Sequence, residues 1–408
     1  MSENRGPRRL YYGYVIVALA FFIGAVAWGS QRTFGVFLDP LLRQYEWSRA
    51  AASLAFTIGM IMTGVLSILA GRLSDRFGPR IVLTACGIFI GAGYLLLSRL
   101  TGLWQFYLVH GLLIAAGMAG IMVPLTSMVI RWFTRRAGLV NGIIQAGPGF
   151  GITVVPPVVS WLISQYEWRN SYLLLGTGVL VMIVASSQFV RRGPTREETS
   201  GQDAGAAVPV INPVSHTFRQ AAGTREFWLL CVLFFVDLFC VNVVMVHLVV
   251  HLTGTGVPLA AAVSVLAVTS AMSIGGRIVA GAVADRIGRR TTIAIGTALS
   301  LMAFAWLPFA SETWMLYAFA AAFGVGGWSV GAVLSPMIAE YFGLKSHGVI
   351  LGAVTFAGTV GGALGPLLAG GIFDIMKTYD VAFVIGAALS GLALVLLLFL
   401  RPPQGVKR

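Results

Sequence analysis

The fold of this chain is decided by the stretch Gly71-Arg72-Leu73-Ser74-Asp75-Arg76-Phe77-Gly78-Pro79-Arg80. The stretch returns about half a chain later as Gly281-Ala282-Val283-Ala284-Asp285-Arg286-Ile287-Gly288-Arg289-Arg290, and each copy follows a long apolar run. A loop as polar as this cannot lie in lipid, so we expect both copies at a membrane surface. Their recurrence predicts a duplicated bundle of membrane helices.

The composition agrees with a membrane protein. Apolar residues make up 57% of the 408 residues and charged residues only 11%. A soluble chain of this length needs far more charge to cover its surface. The three cysteines lie inside apolar runs, which indicates small core residues and neither disulfides nor a metal site. We expect no cofactor. The apolar run after the N-terminal arginines is too long for a cleavable signal peptide, so none is expected.

Twelve apolar runs are each close to the length of about 20 residues that a membrane helix needs. They lie near Tyr12–Leu38, Ala50–Ala70, Ile81–Ser98, Trp104–Ile130, Leu139–Ile163, Tyr172–Val190, Phe227–His251, Leu259–Ala280, Thr291–Phe309, Trp314–Ala339, Gly348–Ile372 and Val381–Leu400. We therefore predict an all-α integral membrane protein of two pseudo-symmetric six-helix bundles. The bundles are residues 1–190 and 227–408, and residues 191–226 form a polar linker between them.

The positive charges predict the orientation of the bundles. If the N-terminus lies inside the cell, most arginines and lysines fall on cytoplasmic segments. The outer segments then hold only Arg43, Arg49, Arg99, Arg169 and Lys377. This bias predicts that both termini and the linker are cytoplasmic, in a multi-pass protein of the cell membrane that contacts the lipid bilayer. It also accounts for the net charge of +13, so nucleic acid is not expected as a partner. We expect the chain to act as a monomer.

Two arginines lie within predicted spans. Arg277, in the eighth span, either snorkels to the cytoplasmic surface or lines a pathway. We favour the pathway, because an arginine inside a membrane is costly and its guanidinium grips a carboxylate through two parallel hydrogen bonds. A molecule bound there would be an anion. Arg32, in the outer part of the first span beside Phe34, either attracts anions or lies at the external interface.

Asp237 is the acidic residue that lies most clearly within a span, roughly at mid-membrane in the seventh. An isolated carboxylate at that depth must be paired, hydrated or titrating. Val244 and His251 follow it at seven-residue spacing, and His247 lies one turn before His251, so these residues are predicted on one broad helical face that leads outward. Such a column suits a proton route. Alternatively, Asp237 bonds a neighbouring helix and both histidines are interfacial.

Polar and aromatic side chains complete the candidate site. Ser273 lies one turn before Arg277 on the same helical face. Gln145 and Phe356 occupy equivalent places in the two halves, each just before an Ala-Gly pair, and Trp328 lies where glycines leave room for a large ring. We predict that these residues line the site. The alternative is helix packing for Ser273 and Gln145, and core packing for the two aromatics.

The opening repeat resembles the loop between the second and third helices of the major facilitator superfamily. A second passage is more specific: Arg131-Trp132-Phe133-Thr134-Arg135-Arg136-Ala137-Gly138-Leu139-Val140-Asn141-Gly142, continuing to Ala146-Gly147. It is similar to the Y-F-x-x-R-R-x-L-A-x-G-x-x-x-A-G signature of the monocarboxylate porter and oxalate–formate antiporter group. The resemblance covers essentially the whole chain. It implies that Arg277 matches the group's substrate-coordinating arginine, and that Arg32 falls near the first-helix lysine of the animal members.

Two departures from that group bear on the substrate and its coupling. Animal monocarboxylate porters have an aspartate one turn before the eighth-helix arginine, where this chain has Ser273. The group's proton-coupling carboxylate therefore does not carry over, and Asp237 is the substitute that this sequence suggests. The oxalate antiporters have a lysine in the eleventh helix, whereas this chain has no cation between Val349 and Leu368. Two carboxylates facing one deep arginine would leave one unpaired, which favours a monoanion.

Together these features predict a secondary transporter of a small organic anion, a monocarboxylate moved with a proton, whose halves rock around a central site. Asp75 with Arg76, and Asp285 with Arg286, would latch the outward-open state through charge contacts to neighbouring helix ends.

Three other functional classes fit the sequence less well than a carboxylate transporter. A proton-driven exporter of drugs or hydrophobic metabolites stays open, because Gly147-Pro148-Gly149 partly matches the antiporter motif of exporters. A membrane sensor would need a sizeable soluble output domain, and the tails and linker are too short for one. An enzyme would need a nucleophile–base pair or a metal-ligand cluster, and the sequence shows neither.

Overall fold

The computed structural model describes residues 12–133, 136–191, 193, 215–310 and 312–400, with residues 49 and 50 described by their backbone alone. Within these ranges the chain is helical and contains no strand. The helices of the N-terminal half are Tyr12–Arg32 with Phe34–Tyr45 (first span), Arg49–Phe77 (second), Pro79–Leu97 (third), Leu103–Leu108, Val109–Ile114, Ala115–Ala119 and Met122–Trp132 (fourth), and Ala137–Gln188 (fifth and sixth). After the short helix Phe218–Ala222, the helices of the C-terminal half are Arg225–Gly254 (seventh), Leu259–Ile287 (eighth), Arg289–Trp306 with Leu307–Phe309 (ninth), Thr313–Gly326 with Ser329–Phe342 (tenth), His347–Met376 (eleventh) and Asp380–Leu398 (twelfth).

Twelve membrane crossings follow from these helices. Among the described residues, 11 helical stretches are long and apolar enough to span a bilayer. One of them, Ala137–Gln188, has 52 residues, far more than a single crossing needs. Glu167 divides it, because its φ of 62° and ψ of 164° do not fit a helix. The chain turns there from the fifth span to the sixth, which confirms the predicted all-α fold with twelve spans.

The repeated motif is mostly helical, so the loop expected from the sequence was wrong. The second span continues through the motif to Phe77, Gly78 makes the turn with a φ of 88°, and the third span begins at Pro79. The second copy repeats this geometry around Gly288, whose φ is 90°. A left-handed φ favours glycine, and proline suits the first position of a helix, so one residue is enough for the turn. We call the end of the bundle that carries Gly78 and Gly288 the motif end.

The fourth and tenth spans break at equivalent places. Gly120 and Ile121 interrupt the fourth span, and Gly327 and Trp328 interrupt the tenth. Irregular backbone at membrane depth occurs where protein surrounds it or where it lines a cavity. Trp328 therefore lies at an irregular point of the tenth span, where backbone is either surrounded by protein or lines a cavity.

Each half has its own hydrophobic core. Buried side chains between residues 16 and 190 form one cluster, and those between residues 221 and 400 form the other together with Val123 of the fourth span. The stacked rings of Phe37 and Tyr172 lie in the first core, and the perpendicular rings of Phe304 and Phe323 lie in the second. The exact domain boundaries stay a prediction, and most of the linker 191–226 lies outside the described residues.

Candidate functional site

The two halves meet along two symmetry-related pairs of spans, the second with the eleventh and the fifth with the eighth. At the motif end these pairs touch backbone to backbone. A Cβ atom on Gly71 would collide with the carbonyl of Gly348, and a Cβ atom on Gly281 would collide with the carbonyl of Gly138. Glycine at these positions therefore permits the close approach of the halves.

The aspartates of the two motif copies bind the first turns of helices in the opposite half. Asp75 accepts hydrogen bonds from the backbone N–H groups of Gly348 and Val349, both at 3.1 Å. Asp285 accepts hydrogen bonds from the N–H groups of Gly138 and Leu139, both at 2.8 Å. Neither of these helices is capped by the side chain that precedes it. Each carboxylate therefore acts as an N-cap from the other half, where the helix dipole favours a negative charge.

The arginines that follow these aspartates behave differently. Arg76 and Arg286 are exposed, and neither forms an ion pair with a described residue. The Arg76 guanidinium lies 5.2 Å from the centre of the Phe77 ring. Of the acidic and basic residues predicted for the latch, only the aspartates form hydrogen bonds with described residues of the opposite half, and a role of Arg76 and Arg286 stays a prediction.

Hydrogen bonds between the halves cluster at the motif end. Ser67 donates to the carbonyl of Gly352 at 3.0 Å, and Asn141 donates to the carbonyl of Ala332. Among the residues that the structure describes, every hydrogen bond between the halves lies in the motif-end half of the spans. The molecule is therefore closed at the motif end.

Arg277 lies at the junction of the fifth, eighth and tenth spans. It is buried, and its Nη1 donates a hydrogen bond to the backbone carbonyl of Gln145. Its guanidinium carbon lies 3.9 Å from the centre of the Trp328 ring, which is a cation–π contact. Its Nε has no hydrogen-bond partner. The structure thus brings together three of the residues predicted for the site and leaves the arginine with an unused donor.

Gln145 and Ser273 make contacts that support the helices around Arg277. The Gln145 side chain donates to the carbonyl of Gly331 at 3.1 Å, just beyond the break in the tenth span. The Ser273 hydroxyl is buried and donates to the carbonyl of Ser270 on its own helix at 2.7 Å. Ser273 therefore makes no hydrogen bond to Arg277, although both lie on one face of the eighth span.

Asp237 faces the interior of the C-terminal half. It lines a small cavity with room for about one water molecule, together with residues of the ninth, tenth and twelfth spans. Thr297, Ser300 and Ser390 supply the hydroxyl groups of that cavity. The Oδ2 atom of Asp237 is shielded from solvent and has no hydrogen-bond partner. Asp237 and Arg277 interact electrostatically without forming an ion pair.

His247 and His251 have other neighbours than Asp237. His247 hydrogen-bonds to the Tyr379 hydroxyl at 3.1 Å and to the carbonyl of Pro366 at 3.0 Å, so both ring nitrogens have partners. His251 is buried with its ring perpendicular to that of Phe383. No hydrogen bond among the described residues connects Asp237 with either histidine. A proton route along this column stays a prediction that these contacts do not favour.

Phe356 and Arg32 lie apart from the contacts of Arg277. A Cβ atom on Gly64 of the second span would come within 3.2 Å of the Phe356 ring, so Phe356 packs at the interface between the halves. Arg32 ends the first helix, is exposed, and makes no hydrogen bond or ion pair with a described residue. The predicted roles of both residues in binding stay predictions.

Sequence reasoning missed the buried contact between His347 and Ser127, which joins the halves. His347, the first residue of the eleventh span, is fully buried and contacts Ser127 of the fourth span through its Nδ1 at 2.8 Å. The pattern of the eleventh span gave no sign of this contact, because Ser127 is one of many small residues in an apolar run. Only the packing of the halves brings the two side chains together.

Comparison with known proteins agrees with the fold and the repeat. The family model described as Major Facilitator Superfamily matches residues 18–294 and 273–408. Monocarboxylate transporter 13 of Rattus norvegicus is 29% identical over 379 residues, which cover 92% of this chain and 86% of that protein. YhjX of Escherichia coli, an uncharacterised transporter of the major facilitator type, is 26% identical to this chain. The match covers 82% of this chain and 83% of YhjX. The crystal structure of the Escherichia coli fucose:proton symporter superposes with a TM-score of 0.73 at 16% identity, covering 96% of this chain and 100% of that chain. This chain therefore belongs to the Major Facilitator Superfamily and is a multi-pass membrane transporter, not an enzyme.

Proposed function

We propose that this protein is a secondary active transporter that moves a small monocarboxylate together with a proton by alternating access. The observation that carries the proposal is Arg277, a buried guanidinium between the halves with a donor that has no partner. A fixed positive charge inside a membrane protein calls for an anion. Relatives named monocarboxylate transporters support a carboxylate as that anion.

One edge of the Arg277 guanidinium has no hydrogen-bond partner among the described residues. Trp328 covers a face of the group, and the Gln145 carbonyl takes a hydrogen of Nη1. Nε is free, and Nη2 makes no hydrogen bond to a described residue. These two nitrogens lie on the same edge and present the parallel N–H pair that a carboxylate accepts. We propose that a carboxylate binds this edge when the packing around Nε opens, while the contacts of Arg277 to Gln145 and Trp328 stay in place.

A monoanion fits this site better than a dianion. The eleventh span carries no arginine or lysine between Val349 and Leu368 that would pair with a second carboxylate. An unpaired carboxylate in a desolvated site costs several kcal/mol, roughly the penalty for burying one ion. We therefore propose lactate-like or pyruvate-like acids with one carboxylate as the substrate class.

Asp237 is the group that we propose for the proton. Its charge and the charge of the substrate both interact favourably with the single cation Arg277. When the substrate carboxylate binds Arg277, a proton on Asp237 restores the charge balance inside the membrane. When the substrate leaves, ionised Asp237 again stabilises Arg277. The hydroxyl groups of the cavity around Asp237 can stabilise either form.

The motif end is proposed to face the cytoplasm, together with both termini, because most of the positive charges lie on that side. The structure then represents the arrangement closed to the cytoplasm. Asp75 and Asp285 would hold this closure from the two halves, and each charge–dipole contact contributes about 0.3–1 kcal/mol. Contacts of this size stabilise the arrangement closed to the cytoplasm and still permit the open one.

The direct test is transport by purified protein in proteoliposomes. Labelled mono- and dicarboxylates and neutral hydrophobic compounds are offered with and without an inward proton gradient. We expect monocarboxylates to accumulate only with the gradient and dicarboxylates to be poor substrates. Expulsion of neutral hydrophobic compounds without carboxylate transport would instead support the exporter.

A further inference from the structure

His347 occupies a corner where three spans of the two halves meet at the motif end. Its side chain is 0% exposed. Its Nδ1 lies 2.8 Å from the hydroxyl of Ser127, which belongs to the N-terminal half. Its Nε2 lies 2.9 Å from the backbone carbonyl of Ser335, which belongs to the C-terminal half. One imidazole ring therefore spans the contact between the halves.

The partners of the ring define its protonation in this arrangement. A carbonyl oxygen only accepts, so Nε2 must carry a hydrogen and donate it to Ser335. Nδ1 is then free to accept a hydrogen from the Ser127 hydroxyl, which gives a neutral ring with both nitrogens satisfied. A second proton would require Ser127 to reverse its hydrogen bond, and it would place a cation at the positive end of a helix dipole without contact to water.

The charged groups around this corner do not compensate such a cation. Arg131 of the fourth span interacts with the ring electrostatically and donates to the carbonyl of Leu344 at 3.1 Å, so it adds positive charge. Asp75 of the second span directs its two oxygens at the N–H groups of Gly348 and Val349 and forms no hydrogen bond with the ring. The tenth span contributes the Ser335 carbonyl. The closed corner therefore suits a neutral imidazole.

Opening of the motif end changes this environment. Ser127 moves away with the N-terminal half, while Ser335 and the ring stay together in the C-terminal half. The ring then contacts water, and an exposed imidazole has a pKa of about 6.5. It binds a proton in the open arrangement and must release it before the corner can close again.

We propose that His347 is a cytoplasmic proton-binding site, separate from Asp237, that is occupied only while the transporter is open to the cytoplasm. The inference rests on the proposed alternating access and on the cytoplasmic position of the motif end, but not on the identity of the substrate. Its consequence is that an acidic cytoplasm holds the carrier inward-open and slows its return. By linkage, the ratio of open to closed molecules rises about tenfold between about pH 7.5 and about pH 5.5.

The test measures conformation, not transport. Spin labels at Phe77→Cys and Ile287→Cys, two exposed and symmetry-related positions at the motif end, report the separation of the halves after the three buried cysteines are replaced. The labelled protein is studied in lipid nanodiscs without substrate across this pH range. We expect the longer distance to gain about tenfold in population at the acidic end. The variant His347→Gln keeps a neutral donor and should abolish the pH dependence.

Two further variants make the result specific. Ser127→Ala removes the partner in the N-terminal half, so it should raise the open population at neutral pH and leave a titrating ring. His216→Gln changes another histidine near the motif end, one that contacts Phe342 within the same half, and should leave the tenfold response intact. A pH response that survives in His347→Gln overturns the proposal. The proposal is also overturned if the distance between the labels does not change with pH in the parent protein. In that case the label distance in Asp75→Asn shows whether the motif end can open at all, which tests alternating access separately.

Discussion

At the scale of single residues, the proposed binding site centres on Arg277 and on the groups that contact its guanidinium. The Trp328 ring and the Gln145 carbonyl hold the guanidinium from two directions, and we propose that this arrangement preorganises it for a ligand. A preorganised fork loses little conformational entropy when a carboxylate binds. A guanidinium keeps its charge throughout the proposed cycle, so the charges that change there are those of Asp237 and the bound substrate.

Two substitutions of Arg277 should separate the contribution of its charge to substrate affinity from the contribution of its fork-shaped hydrogen-bond geometry. Arg277→Lys keeps the charge and loses the fork, and we expect its affinity for a monocarboxylate to fall about tenfold. Arg277→Gln loses both, and a fall of about 100-fold is expected, because a hydrogen bond to a charged group contributes about 1.5–3 kcal/mol. Binding is measured by isothermal titration on purified protein. The exposed Arg99→Gln serves as the matched control and should bind normally. Near-parent affinity in Arg277→Gln would remove Arg277 from the site.

Asp237→Asn tests the coupling. The amide cannot ionise, so the cavity in the C-terminal half stays permanently neutral. We expect accumulation driven by a proton gradient to disappear, while exchange of labelled for unlabelled substrate continues near the parent rate. Both are measured in the same proteoliposomes, with His247→Gln as the comparison, since its ring contacts Tyr379 and Pro366. If Asp237→Asn still concentrates substrate, the aspartate is structural.

At the scale of helices, the closure of the motif end depends on where helices begin and end. The second and eighth spans run through the motif to a single glycine, which places Asp75 and Asp285 in their last helical turns. From there each carboxylate reaches the first turn of a helix in the opposite half. The same acidic residue on an irregular loop would lose conformational entropy on binding.

Removal of either carboxylate charge should favour the inward-open state. Asp75→Asn and Asp285→Asn each lose a charge–dipole interaction of about 1 kcal/mol, which corresponds to about a fivefold shift in population. The two contacts lie at separate pairs of spans, so the shifts should add in the double variant. Labelling of cysteines on the cytoplasmic cavity wall reports the shift. Asp374→Asn, an exposed change at the opposite end of the eleventh span, should show none. Labelling that is unchanged in the double variant would exclude the latch.

The glycine contacts offer a steric test of the same closure. A methyl group at Gly281 collides with the backbone of Gly138, whereas a methyl group at Gly275 on the same helix meets open space. Gly281→Ala should therefore destabilise the closed arrangement by about 1–3 kcal/mol, the usual cost of overpacking. Gly275→Ala should leave the population unchanged in the same labelling assay. Equal populations in the two variants would contradict the closed packing described here.

The sequence predicted the spans and their symmetry because these depend on local properties, hydropathy and a repeated motif. It did not predict that the motif is helical, since the aspartates of the motif bind helix ends of the other half while Arg76 and Arg286 stay exposed at the end of the bundle. Nor did it predict the direction of Asp237, because a helix buried on several sides gives no sign of which neighbour each residue faces. The contact of His347 with Ser127 depends on the packing of distant segments, and no local pattern encodes it.

At the scale of the whole molecule, two similar halves are closed against each other at the motif end, and the Arg277 guanidinium is buried between them. The hydrogen bonds that join the halves in the described part of the chain lie toward the motif end, so separation there requires that these bonds break. We propose that a proton and a monoanion cross the membrane as a neutral pair. A neutral pair carries no net charge, so the membrane potential does no work on it, whereas one uncompensated charge gains or loses about 2.3 kcal/mol per 100 mV.

Accumulation of a labelled monocarboxylate in proteoliposomes tests directly whether the two charges move as a neutral pair. An inward proton gradient is applied, and the membrane potential is set independently by potassium and valinomycin. We expect the accumulation ratio to follow the proton gradient and to be the same at inside-negative, zero and inside-positive potentials. Accumulation that follows the membrane potential, or that persists when the proton gradient is collapsed, would contradict co-transport of a proton and a monoanion as a neutral pair.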